Sequence, residues 1–298
     1  MRTAILGANG YIGKHLAHFL AAHGCDVHSY GHRNEPGLPG LRYTPLDVRE
    51  ASAFKKLDTD VDLVFYLPGI TGTIKGYDDY DNYIDVNEKG LLHLLDRLRR
   101  NRQHHTRVVY PSSRLVYKGQ KNLPLTEDAE KEFKTIYALN KWFGECALRQ
   151  YAEYFDIPFT IFRICVPYAN LFEGAYGYGT VGFFLNKASS GNPISLYGTG
   201  EQKRSFTHVE DICRQIFQVV QDPQSRNNTF NIAGETYSLK EVADAIGRKF
   251  SVPTVLTPWP AIDEKLESGD TIFDSAKLEN LMQNPLQNSF TTWLQTVA

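Results

Sequence analysis

GANGYIG, residues 7–13, decides how this chain is read. An apolar run, TAIL (3–6), precedes it, and Ile12, Leu16, Phe19 and Leu20 then recur at helical spacing, so the glycines stand at a strand-to-helix turn. In that setting Gly7 allows a tight turn, Gly10 lets a pyrophosphate approach the backbone, and Gly13 lets helix and strand pack closely. The segment is therefore expected to hold a dinucleotide, with Asn9, Tyr11 and Ile12 lining the phosphate end beside the three glycines.

Outward from this turn, Gly24 closes the helix and DVHSY (26–30) opens a second strand, which completes one βαβ unit. LVFYL (63–67), RVVYP (107–111) and FTIFRI (159–164) read as further strands, with helical stretches around 81–100 and 136–155 between them. This alternation predicts an α/β fold, a doubly wound parallel-sheet Rossmann domain. After about residue 166 the pattern changes. PYANLFEGAYGYGTVG (167–182) is rich in glycine and aromatics and suits a pocket-shaping loop, and short mixed elements follow. The expected division is a dinucleotide-binding domain over 1–166 plus about 205–221, where SFTHVEDICRQIFQVVQ returns to the main sheet, and a smaller α/β substrate lobe over 167–204 plus 222–298.

Composition narrows the function class. The 298 residues include 42% hydrophobic and 22% charged positions, with a formal charge of −2, so no global attraction to nucleic acid or to an anionic membrane is expected. Cys25, Cys146, Cys165 and Cys213 are scattered without metal-ligand spacing, which argues against a zinc site and fits reduced thiols of the cytoplasm. Glycines interrupt the N-terminal apolar run where a signal peptide needs continuity, and no run approaches a membrane span, so a soluble intracellular protein is expected.

The end of the second strand bears on the cofactor. A ribose 2′-hydroxyl draws an acid there, whereas a 2′-phosphate repels a carboxylate and favours cations. SYGHRN places Gly31 at the acid's position, followed by His32 and Arg33, and this charge pattern favours NADP(H) over NAD, with NAD still open. Asp47, in PLDV, is a candidate acceptor for the adenine amino group or, equally, a helix cap for the residues after it.

Nine segments in order then carry a family resemblance: GANGYIG, LDV, YLPG, NYIDVNEKGLLHLL, VVYPSSRLVYKG, YALNK, IFRICVPY, LYGTGEQKRSFTHVEDI and FNIAGETYSLKEVADAI. Over nearly its whole length the chain resembles the extended short-chain dehydrogenase/reductases, the branch of NAD-dependent epimerases and dehydratases that modify nucleotide sugars. The resemblance implies that Tyr137 is the general acid or base at a reacting oxygen. It makes Lys141, one helical turn on, the group that lowers the tyrosine pKa and binds the nicotinamide ribose. Ser113 would donate to the same substrate oxygen, with Ser112 in support. Leu67, Pro68 and Gly69 of YLPG would lie against the cofactor. Asn87 would hold backbone near the site or simply pack its own helix. The resemblance further implies a homodimer through the helices around 81–100 and 136–155.

On the substrate side, Arg204 matches an arginine that pairs with a substrate diphosphate, and Val166 and Tyr168 fall in the family's substrate motif. Two departures stand out: Val166 replaces the motif's asparagine, and Glu267 in ESGD occupies the place of a second phosphate-binding arginine. Arg114-Leu115 stands where 4,6-dehydratases carry an Asp-Glu pair. Leu115 is neither the cysteine of C3/C5-epimerising relatives nor the glutamate of decarboxylating ones. Hydride transfer with one proton remains. The expected activity is NADPH-dependent reduction of the 4-keto group of a nucleotide-diphosphate-linked 4-keto-6-deoxy sugar. The alternatives are a 4-epimerase with bound NAD(P) and a noncatalytic NADP-binding regulator.

Overall fold

Arg2–Leu6 (β1) has Ala4, Ile5 and Leu6 fully buried, as a strand covered on both faces requires. In the computed structural model, which describes residues 1–172 and 176–297, this strand lies inside a seven-stranded sheet. Tyr11–Ala22 (α1) leads to Asp26–Gly31 (β2), followed by Arg42–Pro45 (β3) and Leu63–Tyr66 (β4). Gly90–Arg100 (α2), Arg107–Ser113 (β5), Ile136–Phe155 (α3) and Phe159–Ile164 (β6) continue the alternation. Strand Asn228–Asn231 forms one edge, and the sheet then runs β6, β5, β4, β1, β2, β3. The pairings of β1 with β2 and β4, of β2 with β3 and of β4 with β5 are parallel. Order reverses between β1 and β4, and a crevice opens at the carboxyl ends of strands at such a point. Leu91, Leu94, Leu95 and Leu98 project from one face of α2 and are fully buried against Val64, Val108 and Tyr110. Each such leucine stabilises the fold by about 1.5–3 kcal/mol.

The helix expected over 81–100 runs unbroken but is not α-helical throughout. A short helix Tyr80–Ile84 passes through a wider π turn at Asp85–Lys89 before α2 begins. The Tyr66 hydroxyl donates to the Val86 carbonyl at 2.8 Å, giving a buried donor its acceptor where the ladder widens. α3 spans the stretch read from the sequence, and its N-cap Thr135 accepts from Ala138 N at 3.1 Å.

The chain divides into two compact units. The first holds Met1–Val116, Thr135–Arg163 and Ile216–Phe230, and the second holds Tyr117–Lys134, Ile164–Gln215 and the chain from Asn231. Three expected boundaries differ, the first being that residues 117–134, expected in the dinucleotide-binding domain, belong to the second unit. Residues 205–215 do not return to the main sheet, because Lys203–His208 (β8) is the middle strand of a separate three-stranded sheet. It pairs in parallel with Val166–Tyr168 (β7) and antiparallel with Glu235–Ser238 (β9), which satisfies both of its edges. Residues 222–230, expected in the lobe, belong to the first unit: Asn227 N donates to Phe159 O at 2.7 Å, and Phe159 N to Asn227 Oδ1 at 3.1 Å. Within the second unit, Leu239–Phe250 (α4) starts with a capping box between Ser238 and Glu241. Of the expected pocket loop 167–182, residues 173–175 lie outside the described residues, and helix Gly179–Ser189 begins within its last part. The four cysteines are free thiols, and no helix among the described residues is long and apolar enough to cross a membrane.

Candidate active site

The glycine turn is closed by Gly10 N donating to Gly7 O at 2.9 Å, and Ala8 N is tied to Tyr30 O at 3.0 Å. A Cβ on Gly13 would lie 2.2 Å from Gly7 O, so only glycine lets α1 begin this close to β1. α1 starts at Gly10 with no side-chain cap and no acid in its first turn, leaving its first N–H groups for an anion. Tyr11 and Ile12 form that turn and are half-buried.

A cleft of about 420 Å3 opens beside the turn. Gly7, Asn9, Gly10, His32, Arg33, Asp47, Leu67, Pro68 and Gly69 line it, which brings together nine residues singled out from the sequence. Arg49, Ile70, Asn82 and Val86 line it as well and were not anticipated. Arg49 was legible only as a cation two positions after Asp47. The cradle, the free helix terminus and the cleft volume suit the pyrophosphate and adenosine of a dinucleotide.

At the adenosine end the structure changes the reading of Asp47. Its Oδ1 accepts from Arg49 Nε at 3.0 Å, its Oδ2 accepts from Arg49 Nη2 at 2.6 Å, and Arg49 N donates to Oδ1 at 3.0 Å. These bonds hold the Asp47 carboxyl below its ordinary range, so this group anchors Arg49 rather than waiting as a free acceptor for an adenine amino group. Gly31 has an equally local reason. The Asn9 side chain lies over it, with Oδ1 accepting from the Tyr43 hydroxyl at 2.9 Å and Nδ2 donating to Glu35 O at 3.1 Å. A Cβ on Gly31 would sit 1.9 Å from Asn9 Oδ1. Gly31→Asp is therefore expected to displace Asn9, to destabilise the protein by about 1–3 kcal/mol, and to bring no gain in NADH affinity. Thermal unfolding and NADH titration of the variant check both parts.

The catalytic candidates of the first unit stand on β5 and α3. Lys141 is buried, and its Nζ donates to Pro111 O at 2.8 Å and lies 4.6 Å from the centre of the Tyr110 ring. The same ammonium is 5.8 Å from the Tyr137 ring centre, and a Cβ on Gly69 would come within 3.8 Å of it, so it also borders the loop of the cofactor cleft. Burial lowers Lys141 to about 7 from its ordinary 10.5, with the nearby Glu145 carboxylate opposing the shift. Ser113 ends β5, buried, with its Oγ accepting from Leu115 N at 3.2 Å. Ser112 is also buried. Glu145 is one turn beyond Lys141 and fully buried. It accepts from Arg163 Nε at 2.9 Å and Nη2 at 2.7 Å, and from Arg149 Nη2 at 3.0 Å, which keeps its carboxyl below the ordinary range despite burial.

Asn87 lies in the π turn. Its Oδ1 accepts from Ile70 N at 2.8 Å, and its Nδ2 donates to Ile70 O at 3.0 Å and to Asn140 Oδ1 at 3.2 Å. Asn140 Nδ2 in turn donates to Glu88 Oε1 at 2.6 Å. Of the two readings left open by the sequence, the geometry is that of a backbone holder: Asn87 pins the loop after β4 and ties it to α3.

In the second unit, the three proposed substrate contacts are buried. Val166 packs within β7 opposite Phe206. Tyr168 is fully buried; its hydroxyl donates to Glu235 Oε2 at 3.3 Å and to Asn288 O at 3.4 Å, and its ring packs on His208, Phe290 and Trp293. That position serves the lobe's core rather than a ligand. Arg204, also buried, is paired with Glu267.

The fold and this constellation define a dinucleotide-dependent enzyme of the short-chain dehydrogenase/reductase type. The model of the NAD dependent epimerase/dehydratase family matches residues 3–233, and the chain belongs to that family. It is similar to the CDP-paratose 2-epimerase of Salmonella typhi, 24% identical over 78% of this chain and 79% of the relative. It is also similar to the dTDP-4-dehydro-6-deoxy-D-allose reductase of Streptomyces bikiniensis, 27% identical over 81% and 79%. Among solved structures, the dTDP-glucose 4,6-dehydratase DesIV of Streptomyces venezuelae, with NAD and TYD bound, superposes with a TM-score of 0.86 at 20% identity, covering 99% of this chain and 96% of that one. This last likeness shows the fold.

Proposed function

We propose that the protein is an NADPH-dependent ketoreductase that reduces the 4-keto group of a nucleotide-linked 4-keto-6-deoxy sugar. The observation that carries this reading is the adenosine end of the cleft. His32 and Arg33 line it, Gly31 takes the acid's place, and the carboxylate among its lining residues, Asp47, is already bonded to Arg49. A 2′-phosphate meets cations there and no free carboxylate. The similar allose-type reductase of Streptomyces bikiniensis supports the reaction class.

The glycine turn and the residues lining the cleft would hold the coenzyme, whose reduced nicotinamide would supply the hydride for the carbonyl carbon. Tyr137 gives its phenolic proton to the oxygen that becomes the alcohol, and Ser113 donates a hydrogen bond to that oxygen. Lys141, held in a dry setting where its charge is poorly solvated, gains most from a phenolate beside it and so favours the tyrosine's loss of its proton. Leu115 supplies no second acid or base, which fits a single proton transfer rather than elimination of water.

Pure protein given NADPH and a panel of nucleotide-linked 4-keto sugars should consume the coenzyme. Conversion of a 4-hydroxy sugar to its epimer with no net change in coenzyme would favour the 4-epimerase reading, which the similar UDP-glucose 4-epimerases support. Arg33→Ser should weaken NADPH about 10–100-fold and leave NADH affinity nearly unchanged, as removal of one charge-assisted contact to a phosphate requires. Fluorescence titration with both coenzymes reads the difference.

A further inference from the structure

Arg204 is the second residue of β8, with 1% of its surface exposed. A buried guanidinium is tolerated only when paired, and its partner here belongs to the protein itself. Nη2 donates to Glu267 Oε1, while Nη1 donates to Lys203 O at 2.8 Å and to Gly269 O. Glu267 is held in place from several sides. Its Oε1 also accepts from Gly269 N at 3.0 Å, and Lys134 Nζ donates to its carbonyl at 2.7 Å. Asp270, three residues on, accepts from Lys203 N and from Asn122 N, both at 2.9 Å, and Thr271 N donates to Lys203 O at 2.9 Å. The turn is thus sewn to β8 along its length, and the carboxylate is fixed on the arginine rather than resting there by chance.

We infer that Glu267 is a specificity-determining residue: it occupies the fork of Arg204 as an internal anion, so this pair holds no diphosphate and instead meets a hydrogen-bond-donating substrate group, a hydroxyl or an ammonium. The charge of the pair is neutral overall, and the Glu267 side chain keeps 22% of its surface exposed against 2% for Arg204, so an incoming group meets the carboxylate first. A diphosphate oxygen arriving there is repelled by Glu267 or must displace it from a turn anchored by five further hydrogen bonds. A donor instead completes the free lone pairs of the carboxylate. The inference deepens the proposed nucleotide-sugar reading and rests on it for the identity of the site, but its test needs no turnover.

The test is calorimetric titration of the full chain, saturated with NADPH, by UDP and by dTDP. Glu267→Gln keeps the size of the side chain and removes its charge, and it should tighten both nucleotides by about tenfold or more, the worth of one charge-assisted hydrogen bond released to the ligand. The double variant Arg204→Met/Glu267→Met replaces a buried pair by apolar groups of similar volume, a change that folds tolerate. Its nucleotide affinity should stay within about threefold of the starting protein, because a quenched arginine contributes nothing to the diphosphate. A tenfold loss in the double variant, or no gain in Glu267→Gln, overturns the inference. If either occurs while NADPH is still consumed with a nucleotide-linked keto sugar, the inference alone falls. If the variants behave as expected and no keto sugar is reduced, the reaction assigned above falls and the specificity role stands.

Discussion

Tyr137→Phe is expected to lower kcat by about 10²–10⁴-fold, the usual worth of a positioned general acid, while NADPH affinity changes little. The substitution removes one oxygen and keeps the ring on the first turn of α3, so packing is retained. The cleft proposed to hold the dinucleotide is lined from the glycine turn onward by residues of the first unit other than Tyr137. The measurement is a pair: steady-state reduction of the keto sugar, and coenzyme titration of the same preparation. A variant that binds NADPH normally and keeps full turnover would remove Tyr137 from the reaction. A variant that loses turnover while cells keep the full biological effect of the protein would instead favour the noncatalytic regulator.

Lys141→Met is expected to do two things of opposite sign: to abolish most turnover and to stabilise the protein when no coenzyme is present. Burial lowers Lys141 from 10.5 to about 7. Between those values the unfolded chain carries a proton that the folded protein does not, so a rise in pH through this window favours folding. Below pH 7 both states are protonated and the full burial penalty remains. From the size of the shift that penalty is about 5 kcal/mol. Methionine removes it but gives up the bond to Pro111 O and the contact with the Tyr110 ring, together about 2–3 kcal/mol. The variant should therefore be about 2 kcal/mol more stable at pH 7, and about 2 kcal/mol less stable near pH 10, where the burial penalty is gone and only the lost contacts remain. Urea unfolding at the two pH values reads this, and a variant less stable than the starting protein at pH 7 would show that the lysine is held for stability rather than for chemistry. Such opposition between stability and activity is common where a fold keeps a charge in a dry place for a reaction.

Much of the first unit was legible in the chain's own order. TAIL, GANGYIG and the helical spacing of Ile12, Leu16 and Phe19 carry local signals, because a strand, a tight turn and an amphipathic helix are each specified by neighbours a few residues apart. The same locality placed Tyr137 and Lys141 on one helix, and α3 runs from Ile136 to Phe155 over the stretch read from the sequence. The π turn that carries Asn87 was not legible, since the hydroxyl that meets its Val86 carbonyl comes from β4, twenty residues earlier. Nor was the path of residues 205–215, where a strand could have joined either sheet and the registers with β7 and β9 decided between them.

By itself, then, the sequence determined what local chemistry can determine: a phosphate-binding turn, a parallel α/β alternation, and the residue types able to move a proton. Only the tertiary structure decided which charges remain available. Arg204 looks like a free ligand when read along the chain, yet it is bonded to Glu267, 63 residues away. A charge taken out of water must find a partner, and that partner is chosen by distance in space, which the order of residues does not record.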